Sequence, residues 1–203
     1  MWTNNQTEPS NGPTLYSIGH SNHSVSELIQ LLNQHGVQIV ADVRTQPYSR
    51  FSPHFNKDAL REELKVSGIG YVFLGAELGG RPTGDHFYDG EGHVRYDRLS
   101  RSKLFTDGLS RLVSGALKHR VSMLCSEGDP STCHRHLLIS RVLHDQGIEV
   151  LHIIPDGSVQ PYSVVATTTA IPVTLFDTEE EIEQWRSPLS VLQSTQPNRS
   201  SED

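Results

Sequence analysis

The sequence predicts an α/β fold: an open, mainly parallel five-stranded sheet flanked by helices, layered like a Rossmann domain, with a C-terminal extension. Three observations lead there. Short apolar runs rich in β-branched residues recur at 15–19, 38–43, 71–75, 121–125 and 150–154. Amphipathic helical patterns lie between them. The runs are apolar at nearly every position, which suits strands covered on both faces and therefore parallel.

Residues 1–14 are polar with Gly and Pro and read as a mobile tail. The first run, "LYSIG", is followed by "SVSELIQLLNQHG", which places Val25, Leu28, Ile29 and Leu32 on one stripe. Ser24 and Glu27 have the spacing of a capping box, and Gly36 stops the helix. After "QIVADV" comes "NKDALREELKVSG", a helix with Asn56 as N-cap and Gly68 as its stop. "YVFLG" leads through a Gly-rich, aromatic loop at 82–100, read as a lid or base-stacking surface or as an exposed insertion, to "KLFTDGLSRLVSGALKH". That helix carries Phe105, Leu109, Leu112 and Ala116 on its stripe. After "VSMLC", Ser131 or Thr132 is the expected N-cap of a fourth helix, which carries Leu138 and Val142 and ends at Gly147.

"VLHII" completes a domain over 15–155, with right-handed crossovers between its strands. The extension at 156–186 begins with an irregular connection, "GSVQPYSVVATTT", and is expected to pack on the domain. It offers an edge strand at 173–176 and a short helix at 179–186. Residues 187–203 read as a second mobile tail.

Composition narrows the function classes. The chain has 203 residues, enough for one domain with extensions. A net charge of -7 argues against whole-surface attraction to nucleic acid, so a long duplex is not the expected partner. Two cysteines do not make a disulfide framework. "TLYSIGH" is too short for a signal-peptide core, and no run approaches a membrane span. A reducing, cytoplasmic location is expected.

In such folds ligands bind beyond the carboxyl ends of the strands. The polar residues that follow each run are His20 and Asn22, then Asp42 and Arg44, then Glu77 and Arg81, then Glu127, Cys133, His134 and Arg135. Arg44, Arg81 and Arg135 suit an anion through forked hydrogen bonds, and "GGRP" lets backbone approach a ligand closely. The alternative for Arg44 and Arg135 is pairing with Asp42 and Glu127 at the sheet edge.

These segments resemble the domain of unknown function 488 family. The resemblance rests on "YSIGHSNHS", "ADVRTQPYSRFSPHFN", "GIGYVFLGAELGGRP", "LCSEGDPSTCHR" and "VLHI", in that order. It covers about 15–155, implies the same α/β fold and implies no particular reaction.

The chemistry centres on Cys133. In the first turn of the fourth helix its thiolate would be favoured by the helix dipole and by His134 or Arg135. Its alternative is a small apolar residue packing helix on sheet. Neighbours on a helix point about 100° apart, so His134 is not expected to serve Cys133 as base. Cys125 is read as packing or as a partner of Cys133. Nine residues separate Cys125 from Arg135, which is not the spacing of a cysteine phosphatase loop. His20, Glu127 and Asp42 are the candidate proton carriers. Asp129 is read as a turn former in "GDPS".

Eleven histidines invite a metal reading, with His20, His54, Cys125, Cys133 and His134 as conceivable ligands. No recognised ligand spacing supports it, so neither a metal nor another cofactor is expected. The expected function is an enzyme, a hydrolase or transferase, binding a phosphorylated small molecule or nucleotide, with Cys133 as nucleophile. Nucleic acid other than a long duplex, such as a nucleic-acid end, is a further partner class, and a homodimer is compatible with the sequence. The rivals are a non-catalytic nucleotide-sensing module and a metal-dependent hydrolase.

Overall fold

The computed structural model describes residues 13–169 and 185–191. Its strands are β1 (Leu15–Gly19), β2 (Ile39–Asp42), β3 (Gly70–Phe73), β4 (Val121–Cys125), β5 (Val150–Ile153) and β6 (Val159–Pro161). They form one sheet in the order β3-β2-β4-β1-β5-β6. The first five are parallel, and β6 adds to β5 antiparallel. The sheet therefore has six strands where the sequence suggested five. The extra strand and the helix after it, Tyr162–Thr169, replace the irregular connection expected at 157–169. β-branched "YSVVATTT" has weak helix propensity, so packing decides: the Tyr162 ring lies 4.7 Å from that of His136.

The helices in chain order are α1 (Val25–Gln34), α2 (Lys57–Val66), α3 (Gly75–Leu78), α4 (Tyr96–Leu99), α5 (Lys103–Ala116), α6 (Arg141–Asp145) and α7 (Tyr162–Thr169). The capping box of α1 forms as read: Ser24 accepts from the Glu27 N–H, and Glu27 accepts from the Ser24 N–H at 2.7 Å. Asn56 does precede α2, but its side chain accepts from the Ser49 N–H at 2.6 Å and leaves the helix uncapped. The fourth expected helix starts later than expected. Asp129 takes the Ser131 N–H at 2.8 Å and caps a short 3-10 turn, Pro130–Thr132. A wider π-helical stretch, Arg135–Ser140, then runs into α6. The Ser140 hydroxyl donates to the Arg135 carbonyl at 2.6 Å, five residues back, which supports that wider register.

The two faces of the sheet carry separate cores. Leu28, Leu32, Leu60 and Leu64 of α1 and α2 meet Val40 and Leu124 on one face. Phe105, Leu109, Leu112, Leu138 and Leu143 meet Ala41 and Met123 on the other. Met123 and Leu124 go to opposite cores because successive strand residues point to opposite faces. All of β4 is buried, as its apolar run suggests, whereas edge strand β3 alternates exposed and half-buried positions.

The end of the loop at 82–100 is not an exposed insertion: Val94, Tyr96 and Leu99 are buried in the core. Residues 185–191 clasp it. The Tyr96 N–H donates to the Trp185 carbonyl, and the Ser187 N–H to the Val94 carbonyl, both at 2.9 Å. Ser187 and Ser190, expected in a tail, are thus buried. The edge strand expected at 173–176 lies outside the described residues, as does nearly all of the helix expected at 179–186; Arg186 forms an antiparallel bridge with Arg95. Among the described residues no helix is long and apolar enough to cross a membrane.

Candidate active site

The carboxyl end of β4 builds the site. Cys125 and Glu127 are two residues apart on extended chain, so their side chains point the same way. The chain then turns through Asp129 and the 3-10 turn and brings Cys133 back. Cys133 is extended (φ -101°, ψ 142°) and not in a helix turn. Its carbonyl accepts from the His136 and Leu137 N–H groups at 2.9 and 3.0 Å, so it stands where an N-cap stands. This overturns the expectation that His134 and Cys133 diverge. The 100° rule applies inside a helix, and the helix begins after Cys133.

Four side chains consequently meet. Glu127 Oε2 lies 2.8 Å from Cys125 Sγ and 3.1 Å from Cys133 Sγ. His134 Nδ1 lies 3.6 and 3.8 Å from the same sulfurs. The other ring nitrogen of His134 bonds the Val43 carbonyl at 3.1 Å, which orients the ring. Gly80 makes room for it: a Cβ there would lie 2.7 Å from His134 Cγ. The glycines of "LGGRP" thus admit protein side chains where a ligand was expected.

Arg135 is fully buried and forks onto backbone, Nη1 to the Glu127 carbonyl at 2.6 Å and Nη2 to the Gly128 carbonyl at 2.9 Å. No carboxylate neutralises it in these bonds, and among the described residues its Nε finds no acceptor. Burial alone would push the Cys133 thiol up. The Cys125 hydrogen bond, the Arg135 charge and the His134 ring outweigh burial and hold it well below the ordinary thiol range. Cys125 moves oppositely, held well above that range by its bond to Cys133, by burial and by the Cys133 and Glu127 charges. Burial pulls His134 down, but Cys133 and Glu127 more than reverse this and raise it. Both shifts favour charge separation between His134 and Cys133.

This group floors an open cleft of about 470 Å³. Arg44, Tyr48, Arg81, Tyr96 and residues 187–191 supply walls. The expected residues divide accordingly. Glu127, Cys133 and His134 converge on the floor, and Arg135 braces it from behind. Arg81 is exposed at the rim, its N–H bonded to Thr45 Oγ1 at 3.0 Å. Arg44 lines the cleft, but its Nε and Nη2 are held by Asp42 at 2.9 and 2.7 Å. Asp42 is fully buried and also accepts from the Tyr71 hydroxyl at 2.6 Å, so both its oxygens are engaged. Glu77 pairs with Arg111. His20 stacks on Phe55 with 4.3 Å between ring centroids, outside the cleft wall, and burial takes its pKa down to about 4. Asn22 is exposed and accepts from the Ser21 hydroxyl. Cys125 is the member that sequence reasoning undervalued; its i,i+2 relation to Glu127 was the available signal.

Fold and site together define an α/β protein with a cysteine–histidine–glutamate centre at its strand ends. The chain belongs to the family described as "Domain of unknown function DUF488", whose family model matches residues 24–142. That stretch contains all four floor residues. No curated protein and no solved structure matches the chain.

Proposed function

We propose that this protein is an enzyme, a hydrolase or transferase, that holds a phosphate-bearing ligand over the Cys133 sulfur. The ligand class is a nucleotide, a nucleoside derivative or a nucleic-acid end. One observation carries the reading: Cys133 Sγ, His134 Nδ1 and Glu127 Oε2 converge on the floor of an open cleft. Its volume of about 470 Å³ is in the range of small-molecule sites. Arg81 and the Nη1 of Arg44 offer anion contacts, and Tyr48, 60% exposed, offers a stacking surface. A net charge of -7 suits a compact ligand better than a long duplex. The two unpaired thiols fit a reducing cytoplasm. The sulfur would act either as a nucleophile or as a ligand to an electrophilic ion.

A non-catalytic sensing module is the second reading, favoured by how little of the sulfurs is exposed: Cys125 3% and Cys133 2%. One experiment separates the two. The wild-type chain and Cys133→Ala are incubated with nucleoside phosphates and with oligonucleotides bearing terminal phosphates. Turnover is expected from the wild type and should fall at least about 10³-fold in the variant. Full turnover in Cys133→Ala would overturn the role of the sulfur. Binding by both chains, lost in Arg81→Ala and without turnover of any compound, would establish the sensing module.

A further inference from the structure

We infer that Cys125, Cys133 and His134 bind one soft divalent ion of the zinc class at the cleft floor, with Glu127 as an exchangeable fourth ligand. Its catalytic use rests on the reading above; the binding itself stands on geometry. Zinc holds sulfur at about 2.3 Å and imidazole nitrogen at about 2.0–2.1 Å in a tetrahedron. Those bond lengths put a sulfur and a nitrogen about 3.5 Å apart along an edge. The sulfur–nitrogen distances here are 3.6 and 3.8 Å. The three donor atoms all lie within 4.8 Å of one another. Glu127 Oε2 sits 2.8 and 3.1 Å from the sulfurs, so it needs only a small outward shift as it exchanges them for an ion.

Features beyond distance agree. The Nε2 of His134 faces the Val43 carbonyl at 3.1 Å, which assigns the proton to that nitrogen and offers the Nδ1 lone pair to the ion. Two thiolates and a carboxylate around a dication leave one net negative charge. Arg135, fully buried and bonded to two backbone carbonyls, is placed to offset it. The extended Cys133 is what lets two adjacent residues donate to one point. Soft sulfur donors select zinc-class ions over magnesium or calcium. Glu127 is the solvent-exposed member, so its departure would open a coordination position to water or a ligand oxygen.

The test uses the full-length chain without a histidine tag, made metal-free and titrated with Co²⁺. One equivalent should give the thiolate-to-cobalt charge-transfer absorption and the intense visible bands of tetrahedral cobalt, both abolished by Zn²⁺. Cys125→Ser, Cys133→Ser and His134→Ala should each lower Zn²⁺ affinity by more than the roughly 100-fold typical of losing a residue that merely supports a ligand. Glu127→Gln should keep the charge-transfer band and change the visible bands. Should a variant misfold, alkylation of the wild type decides: both thiols protected by Zn²⁺ supports the site. Cobalt binding without charge transfer, or thiols alkylated equally with and without Zn²⁺, overturns it. Cys133-dependent turnover in the metal-free chain, without metal binding, overturns the ion and keeps the enzyme. A bound ion without turnover of any phosphate compound supports the ion and overturns the enzyme.

Discussion

The backbone carbonyl of Glu127 occupies space that Gly19 leaves by having no side chain: a Cβ on Gly19 would lie 1.7 Å from that oxygen. The end of β1 thus accommodates the turn after β4, and Arg135 grips the same oxygen from the other side at 2.6 Å. Gly19→Ala must displace backbone, so it should cost about 3 kcal/mol or more, the upper end for overpacking. Gly90, which has open space around it, is the control, and Gly90→Ala should stay within about 0.5 kcal/mol. Urea unfolding of both variants checks this; equal stability would mean the turn can move aside freely.

Arg135 holds two carbonyls with one planar fork. Arg135→Lys keeps the charge but has a single nitrogen, so one carbonyl loses its partner. A loss of roughly 2–3 kcal/mol is expected, with a lower melting temperature. An unchanged melting temperature would show that water replaces the fork.

Asp42 sits at the strand end, where a catalytic carboxylate could sit, yet it serves Arg44 and Tyr71. Asp42→Asn leaves a buried guanidinium without its counter-charge and should cost roughly 3–5 kcal/mol. Tyr71→Phe removes one hydrogen bond and should cost about 1 kcal/mol. Denaturant unfolding checks both. A stable Asp42→Asn chain with lost turnover would return Asp42 to the chemistry.

His152 is fully buried, with Ser17 Oγ at 2.6 Å and His136 Nδ1 at 3.0 Å. Burial, then the charges of His136 and Arg135, takes its pKa from 6.5 down to about 3. Below pH 6.5 the unfolded chain takes up a proton here and the folded chain does not. Stability should therefore fall as pH drops from 6.5 towards 3 and level off below that, by roughly 2–4 kcal/mol from this group. His152→Gln should flatten that part of the stability–pH curve. An unchanged slope would assign the acid sensitivity to other groups.

What the sequence makes legible is local. The capping box of α1 and the stop at Gly147 depend on residues within a few positions, and both form as read. The buried run of β4 is equally plain, because a strand covered on both faces has no polar position to hide. The start of the fourth helix differs from the expectation because three capping residues compete within four positions and Asp129 caps the 3-10 turn. That one shift moves Cys133 out of the helix and lets His134 reach it. Arg44 and Asp42 share a side at i,i+2, so their pairing could be weighed from sequence. Arg135 holds carbonyls, and backbone acceptors leave no mark in a sequence.

The clasp of 185–191 across 88–97 has a further consequence. Trp185 Nε1 donates to the Leu137 carbonyl at 2.7 Å, tying this segment to the helix that begins beside His134. The stretch matched by the family model, 24–142, holds Cys125, Glu127, Cys133 and His134 of the cleft floor, while residues 187–191 of one wall lie beyond it. Swapping residues 187–191 would therefore alter the shape of the cleft mouth while leaving every side chain of its floor in place.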